Sequence, residues 1–412
     1  MDKIIIVSPN FRREVFWKRW KLLADKHKDF SVILLAPDGW TEGKFKGYTF
    51  GKKRVFQGKN YKSDNFEVRT VRVRQDRLGD WSSPDIKDII KKEQPDFLYV
   101  IGNHSQGSMC SILTACKKYS PKTIRMTFTM RDDRNPYTRS YKSLKLKILN
   151  LRTMHFYRKN VFLSDVIFCH YPDALNAIVK EGYTKPVYIN TQIGLDNEIF
   201  YFKPNGRLRV RDRLRLGDSF VFGSATRFNP EKGIIDILHS LPLSGNWKYV
   251  ILGSGNPDEI ELIQSEIKSL GLEDKVIMPG FIEWSELPDY LSALDCVVHV
   301  PRTTYNWKET FSIALVQAIS VGLPLIGNDS GSVPYQCGPD GIIVREGDLD
   351  SLRKEMTEMM NNPAKAKSIG KKQQDFVVGS FGIERITECF YKVLKDIKKG
   401  VYDKNKIDTK IN

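Results

Sequence analysis

The 412 residues predict an α/β protein built as two doubly wound parallel-sheet domains facing a cleft. Short apolar runs alternate with helical stretches, which argues for parallel sheets covered on both faces. The alternation occurs twice, and the chain is long enough for two separate cores. A polar Pro/Gly break at Phe202-Lys203-Pro204-Asn205-Gly206 divides the two series.

In the first half the runs Lys3–Val7, Ser31–Leu35, Phe66–Val73, Phe97–Ile101, Thr123–Phe128, Val166–Cys169 and Val187–Asn190 read as strands. Helical patterns lie between several of them, at Arg13–His27 and Gly107–Lys118. In the second half the strands are Phe220–Ser224, Lys248–Leu252, Lys275–Met278, Cys296–Val300, Leu325–Gly327 and Gly341–Val344. Helices are expected near Ile234–Leu241, Asp258–Leu270, Ser285–Ala293 and Phe311–Val321, then at Asp350–Asn361, Lys365–Val378 and Ile383–Lys399. The domains are accordingly drawn as 1–203, 204–380 and 381–412. The last comprises a helix that can return to the first domain and a frayed, lysine-rich tail.

Charge divides the chain as sharply as the strand pattern does. Residues 1–200 hold 37 Lys and Arg against 21 Asp and Glu, whereas 201–412 hold 28 of each. The first half thus carries the whole net charge of +16, which suggests an acidic partner for it or a solvated basic surface. The six cysteines show no C-x-x-C spacing and read as small core residues of a reducing compartment. With scattered histidines as well, no metal site and no cofactor are expected. The start, Met1 to Val7, reads as a strand rather than a signal-peptide core. No apolar run approaches the roughly 20 residues of a membrane span, so the default location is cytoplasmic.

Ligands of open parallel sheets sit at the carboxyl ends of the strands, and four such ends in the second half carry suggestive residues. After Phe220–Ser224 come Arg227 and Lys232, two cations suited to phosphate oxygens, on a turn into a helix. Gly253-Ser254-Gly255 follows the next strand and permits close backbone approach. Pro279-Gly280-Phe281 offers a turn that a flat base can meet. After Cys296–Val300, Glu309 stands just ahead of a helix whose first N–H groups can face an anion. Singly these are ordinary loops; their joint placement points to a ligand bearing phosphate and hydroxyl groups, such as a nucleotide sugar.

This series, with Ile193-Gly194-Leu195-Asp196…Phe200 upstream and Gly322-Leu323-Pro324 downstream, resembles the retaining GT-B glycosyltransferases of family 4. The motifs fall within residues 190–345, and the first half fits mainly by strand order. The resemblance implies two Rossmann-like domains, with Arg227 and Lys232 on the diphosphate of the sugar donor and Glu309 on donor-sugar hydroxyls. It also implies that the backbone at Thr310, Phe311, Ser312 and Ile313 joins the phosphate clamp, and that Gly253, Ser254, Gly280 and Phe281 border the nucleotide. Two departures stand out. The family's second Glu, eight residues after the first, is here Gln317, which can accept from a ribose hydroxyl without charge assistance. The first strand is followed by Val7-Ser8-Pro9-Asn10-Phe11-Arg12-Arg13, without a glycine-rich turn, so Asn10, Arg12 or Arg13 would substitute there.

On the acceptor side, Gly102-Asn103-His104 ends a strand and places His104 at the mouth of the cleft, as an acceptor contact or a helix cap. Arg131 and Asp132 follow the next strand, and acids there either orient an acceptor hydroxyl or pair with neighbouring arginines. Residues 134–159 hold eight Lys and Arg and no acid, with Leu144, Ile148, Leu151 and His155 at helical spacing. That pattern suits an anionic membrane surface or a lipid-linked pyrophosphate. The expectation is a metal-independent glycosyltransferase, cytoplasmic or peripheral on the inner membrane face. It would move a sugar from a nucleotide donor to a glycan or lipid-linked acceptor in surface polysaccharide or glycoconjugate synthesis. A noncatalytic polyanion-binding protein and a nucleotide-sugar epimerase of similar fold stay open; no RNA-binding motif is present.

Overall fold

The computed structural model describes residues 1–42, 54–75, 80–129, 144–304 and 307–400, with residues 42, 54 and 144–150 described by backbone alone. Two compact units emerge: residues 1–193 with 386–412, and residues 194–385.

The first unit is built on an eight-stranded sheet. Its strands are β1 (Asp2–Val7), β2 (Phe30–Pro37), β5 (Tyr61–Lys62), β6 (Phe66–Val71), β9 (Phe97–Ile101), β10 (Ile124–Phe128), β11 (Val166–Cys169) and β12 (Val187–Ile189). They run in the order β12-β11-β10-β9-β1-β2-β6-β5, parallel except for β5. Short antiparallel pairs join β3 (Gly39–Glu42) to β4 (Arg54–Gln57) and β7 (Arg74–Gln75) to β8 (Trp81–Ser82). Crossovers run through α1 (Lys18–Lys26), α2 (Asp85–Glu93), α3 (Gly107–Tyr119), α4 (Leu144–Leu163) and α5 (Pro172–Lys180). From Ile4 to Val7 β1 is apolar on both faces: Ile4 and Ile6 join one core layer with Trp20 and Phe30, Ile5 and Val7 the other with Ile90 and Leu113. Such burial requires helices on both sides.

The second unit begins with α6 (Pro204–Arg213) and repeats the plan with six parallel strands: β13 (Phe220–Ala225), β14 (Trp247–Leu252), β15 (Val276–Gly280), β16 (Cys296–His299), β17 (Leu325–Asn328) and β18 (Ile342–Val344). Their order is β15-β14-β13-β16-β17-β18. The helices are α7 (Ile234–Ser240), α8 (Pro257–Ser269), α9 (Leu287–Ser292), α10 (Ile313–Ser320), α11 (Val333–Cys337), α12 (Leu349–Asn361) and α13 (Pro363–Phe381). In this doubly wound arrangement strand order reverses between β13 and β16, which fixes the crevice at their carboxyl ends. Together the units are the two Rossmann-like domains of the GT-B fold. All six cysteines are buried and unbridged.

Three expectations shift. The units divide at Gly194 rather than after 203, because Leu195 bridges Gly382 and Phe200 packs in the second core. The Pro204 break is a helix start, proline being favoured at the first helical position. The helix expected from Arg13 begins at Lys18: Arg13 is extended, and Trp17 Nε1 donates to Phe11 O at 2.7 Å across the preceding 3-10 turns. α14 (Ile383–Lys398) re-enters the first unit at Ile386, burying Phe390, Val393, Leu394 and Ile397 beside Trp20.

Candidate functional site

The loops leaving β13, β14 and β15 are laced together by their backbones. Thr226 N donates to Leu252 O, Phe228 N to Ser254 O and Gly253 N to Gly280 O, at 2.9 to 3.0 Å. Gly253 has φ +143°, and a Cβ there would lie 1.8 Å from Thr226 O, so only glycine permits this approach. Below them, Ser224 Oγ donates to Val298 O at 2.7 Å and accepts from Tyr249 OH at 2.8 Å, tying β13 to β16 and β14. The Gly253-Ser254 turn is therefore a fixed wall of the crevice. Gly280, at φ +89°, has open space where a side chain would be, and Phe281 beside it is 51% exposed.

Beyond half-buried Arg227, a 3-10 turn (Pro230–Lys232) carries Lys232 inward. Gly233 ends the turn at φ +69°, where a Cβ would lie 2.0 Å from Val300 O, so the turn is pressed onto the end of β16. Lys232 Nζ donates to Glu309 Oε2 at 2.6 Å and lies 4.5 Å from the centre of the Trp307 ring. Glu309 is 5% exposed. Its carbonyl accepts from Ser332 N at 3.0 Å, and a Cβ on Gly331 would stand 1.9 Å from that same oxygen. Burial alone would push the Glu309 carboxyl up; contact with His299 and the charge of Lys232 overcome it and hold the group at about 2. His299 ends β16 with its Nε2 3.4 Å from Glu309 Oε2, outside hydrogen-bond geometry. Burial, reinforced by Lys232, lowers its basicity against the opposing pull of Glu309.

α10 starts at Ile313, two residues later than expected, because Ser312 is its cap and accepts from Leu315 N through Oγ. Thr310 and Phe311 belong to the loop. Gln336 takes the Ser312 N–H at 2.9 Å and returns a bond to Ser312 O at 2.9 Å, so this N–H is spent within the protein rather than offered to an anion. Gln317 is 5% exposed on α10, and its amide makes no hydrogen bond among the described residues. A cavity of about 1040 Å³ lies at the amino ends of the same strands. Its Arg207 and Arg211 are already held by Asp295, so it is set apart from the site.

In the first unit Asn10 and Arg12 sit after β1, at the switch point with β9. Arg12 donates to Pro9 O at 2.7 Å and lies 5.5 Å from the rings of Trp40 and Phe56, folded over its own loop. His104 corrects an expectation. Instead of standing at a mouth it is 1% exposed, with Nε2 2.8 Å from Thr127 Oγ1, which in turn meets Ser164 Oγ. Asn160 Nδ2 donates to the carbonyls of His104 and Gln106, fixing the loop around an inward-facing imidazole. Nor does His104 cap the next helix: Asp80 accepts from Gly107 N and Ser108 N. Arg131 and Asp132 lie outside the described residues.

Sequence reasoning missed His299 and Trp307. His299 falls in an apolar run, and only the strand ladder shows that its ring reaches Glu309. The one signal for Trp307 was an aromatic two residues ahead of Glu309. Among the described residues no group of three or more His, Cys, Asp or Glu side chains is placed to hold a metal ion.

Comparison with known proteins agrees with this geometry. The family described as Glycosyl transferases group 1 matches residues 208–376, most of the second unit. The GDP-mannose-dependent alpha-(1-6)-phosphatidylinositol monomannoside mannosyltransferase of Mycolicibacterium smegmatis is 26% identical over 185 residues, 43% of this chain and 48% of that protein. The N-acetyl-alpha-D-glucosaminyl L-malate synthase of Bacillus anthracis is 25% identical over 159 residues, 37% and 39% of the two. The chain thus spans about half or less of the length of these relatives. Among solved structures, Anabaena Alr3699/HepE in complex with UDP superposes with a TM-score of 0.67 at 16% identity, covering 96% of this chain and all of that one. The sucrose-phosphate synthase of Thermosynechococcus elongatus gives 0.67 at 14% identity, over 97% of this chain and all of that one.

Proposed function

We propose that this protein is a retaining, metal-independent glycosyltransferase using a nucleotide-diphosphate sugar. The observation that carries the reading is the buried Lys232–Glu309 pair at the β13/β16 switch point. A cation for phosphate and a carboxylate for sugar hydroxyls stand side by side where open α/β sheets bind ligands. Arg227 and Lys232 would neutralise the diphosphate and the charge that develops on it as the glycosidic bond breaks. Glu309, ionised and fixed by its backbone, would accept from donor-sugar hydroxyls. Gln317 would accept from the ribose and Gly280-Phe281 would border the base. No second carboxylate is assigned as a nucleophile. The acceptor hydroxyl would attack from the face the phosphate leaves, and the departing phosphate would take its proton. The group 1 family match and the nucleotide-sugar relatives support this reading.

The acceptor would be a glycan or lipid-linked sugar presented at an anionic membrane. No described helix is long and apolar enough to cross a membrane. α4, however, buries Met154, Tyr157 and Val161 and exposes Leu151, His155, Arg158 and Phe162 as one stripe, flanked by Arg152 and Lys159. Apolar residues between cations suit the headgroup boundary of an anionic leaflet. The test is a thermal-shift panel of UDP-, GDP- and ADP-sugars, followed by product analysis with the stabilising sugar. One nucleotide sugar is expected to raise the melting temperature, and the product should keep the donor's anomeric configuration. An inverted product would remove the front-side mechanism.

A further inference from the structure

Resting on the reading above, one feature of the site goes further. Glu309 has two basic neighbours and is hydrogen-bonded to only one of them. Lys232 Nζ lies 2.6 Å from Oε2, while His299 Nε2 lies 3.4 Å from the same oxygen and has no hydrogen-bond partner. A buried imidazole nitrogen left without a partner is costly, and the backbone that carries it is fixed because His299 pairs with Gly327 in the sheet. Lys232, by contrast, reaches Glu309 from a short 3-10 turn, through a long flexible side chain. Lys232 has three N–H donors but one positive charge, which cannot compensate both a bound diphosphate and the buried Glu309 carboxylate. If it moves to the phosphates, Glu309 cannot follow, because Ser332 N and Gly331 pin its backbone. A buried carboxylate would then be left uncompensated.

We propose that His299 is a positioning residue that replaces Lys232 as the cationic partner of Glu309 when the sugar donor binds, taking one proton from solvent as it does so. The charged groups facing it are Glu309, on the loop before α10, and Lys232, on the turn after β13. Of the strands flanking β16, β17 pairs Gly327 with His299 and β13 ends in Ser224 and Ala225, none of them titratable, while Cys296 on β16 itself is held protonated by burial. Departure of Lys232 removes one of the two influences that keep the imidazole neutral and leaves the pull of Glu309. Proton uptake at the ring and sugar-donor binding are therefore linked. Affinity should be flat below the free-state value of the imidazole, fall by up to about tenfold per pH unit above it, and level off once the bound-state imidazole deprotonates.

The test is isothermal titration of UDP-glucose and of GDP-mannose into the full chain, in buffers of different ionisation enthalpy, between pH 6 and 8. Neither compound titrates in that range, so any proton exchanged belongs to the protein. Uptake approaching one proton per nucleotide sugar is expected, and it should vanish in His299→Asn or His299→Gln while binding persists with pH-independent affinity. Binding without proton exchange in the unaltered protein, or equal uptake in a folded His299 variant, overturns the inference and leaves the functional reading intact. Binding of neither nucleotide sugar, nor of any other in the panel, removes the functional reading and the inference with it.

Discussion

Glu309 shows how one residue's surroundings set its behaviour. Its carboxyl is held at about 2, below the ordinary value of 4.5. A depressed value means that the group's stabilising contribution is fully present above about pH 4.5 and is lost as pH falls toward 2. Urea melts should therefore show Glu309→Gln changing stability at neutral pH, with the difference from the unaltered protein shrinking between pH 4.5 and 2. Lys232→Ala removes both the phosphate cation and the partner of a buried carboxylate. It should lower turnover by about 100- to 1000-fold and destabilise the fold by roughly 3 kcal/mol, read by donor hydrolysis and by chemical melts. Gln317→Glu adds charge assistance at the proposed ribose position and is expected to tighten nucleotide-sugar binding by about tenfold or less, measured by titration.

At the scale of elements, strand ends position the site and glycines allow the loops to meet. Gly253→Ala would drive a Cβ into Thr226 O, and a loss of roughly 2–4 kcal/mol in thermal or urea melts is expected. The strands of both sheets other than the short edge strand β5 were legible because each is a short apolar run bounded by turn residues. Arg227, Lys232 and Glu309 were legible as candidates because they lie on the loops that leave such runs. The start of α10 was not, since its cap is fixed by Gln336, 24 residues away. Nor was the inward turn of His104, which depends on Thr127 of β10 and on Asn160 and Ser164 at the end of α4. Periodicity reports local burial, while such polar networks are tertiary. His299 escaped for the same reason: a histidine in an apolar run looks like core until the partner carboxylate is placed beside it.

For the whole molecule, two doubly wound units separate two kinds of work. On the proposed reading the second would carry the nucleotide-sugar chemistry in its strand-end loops, and the first carries the basic α4 face. Replacing Leu151 and Phe162 with Ser should weaken binding to vesicles of anionic lipid by at least tenfold, from lost apolar burial of about 1.5–3 kcal/mol per side chain. Vesicles of neutral lipid should bind poorly throughout, and added salt should weaken the anionic case. The central claim rests on the Lys232–Glu309 pair acting on a nucleotide sugar. Nucleotide release from UDP-glucose, GDP-mannose and UDP-N-acetylglucosamine, with and without membrane lipid extract as acceptor, measures it most directly. Turnover of one of these sugars that disappears in Lys232→Ala is the predicted result; release that proceeds equally well without Lys232, or no turnover and no binding of any nucleotide sugar, would contradict the account.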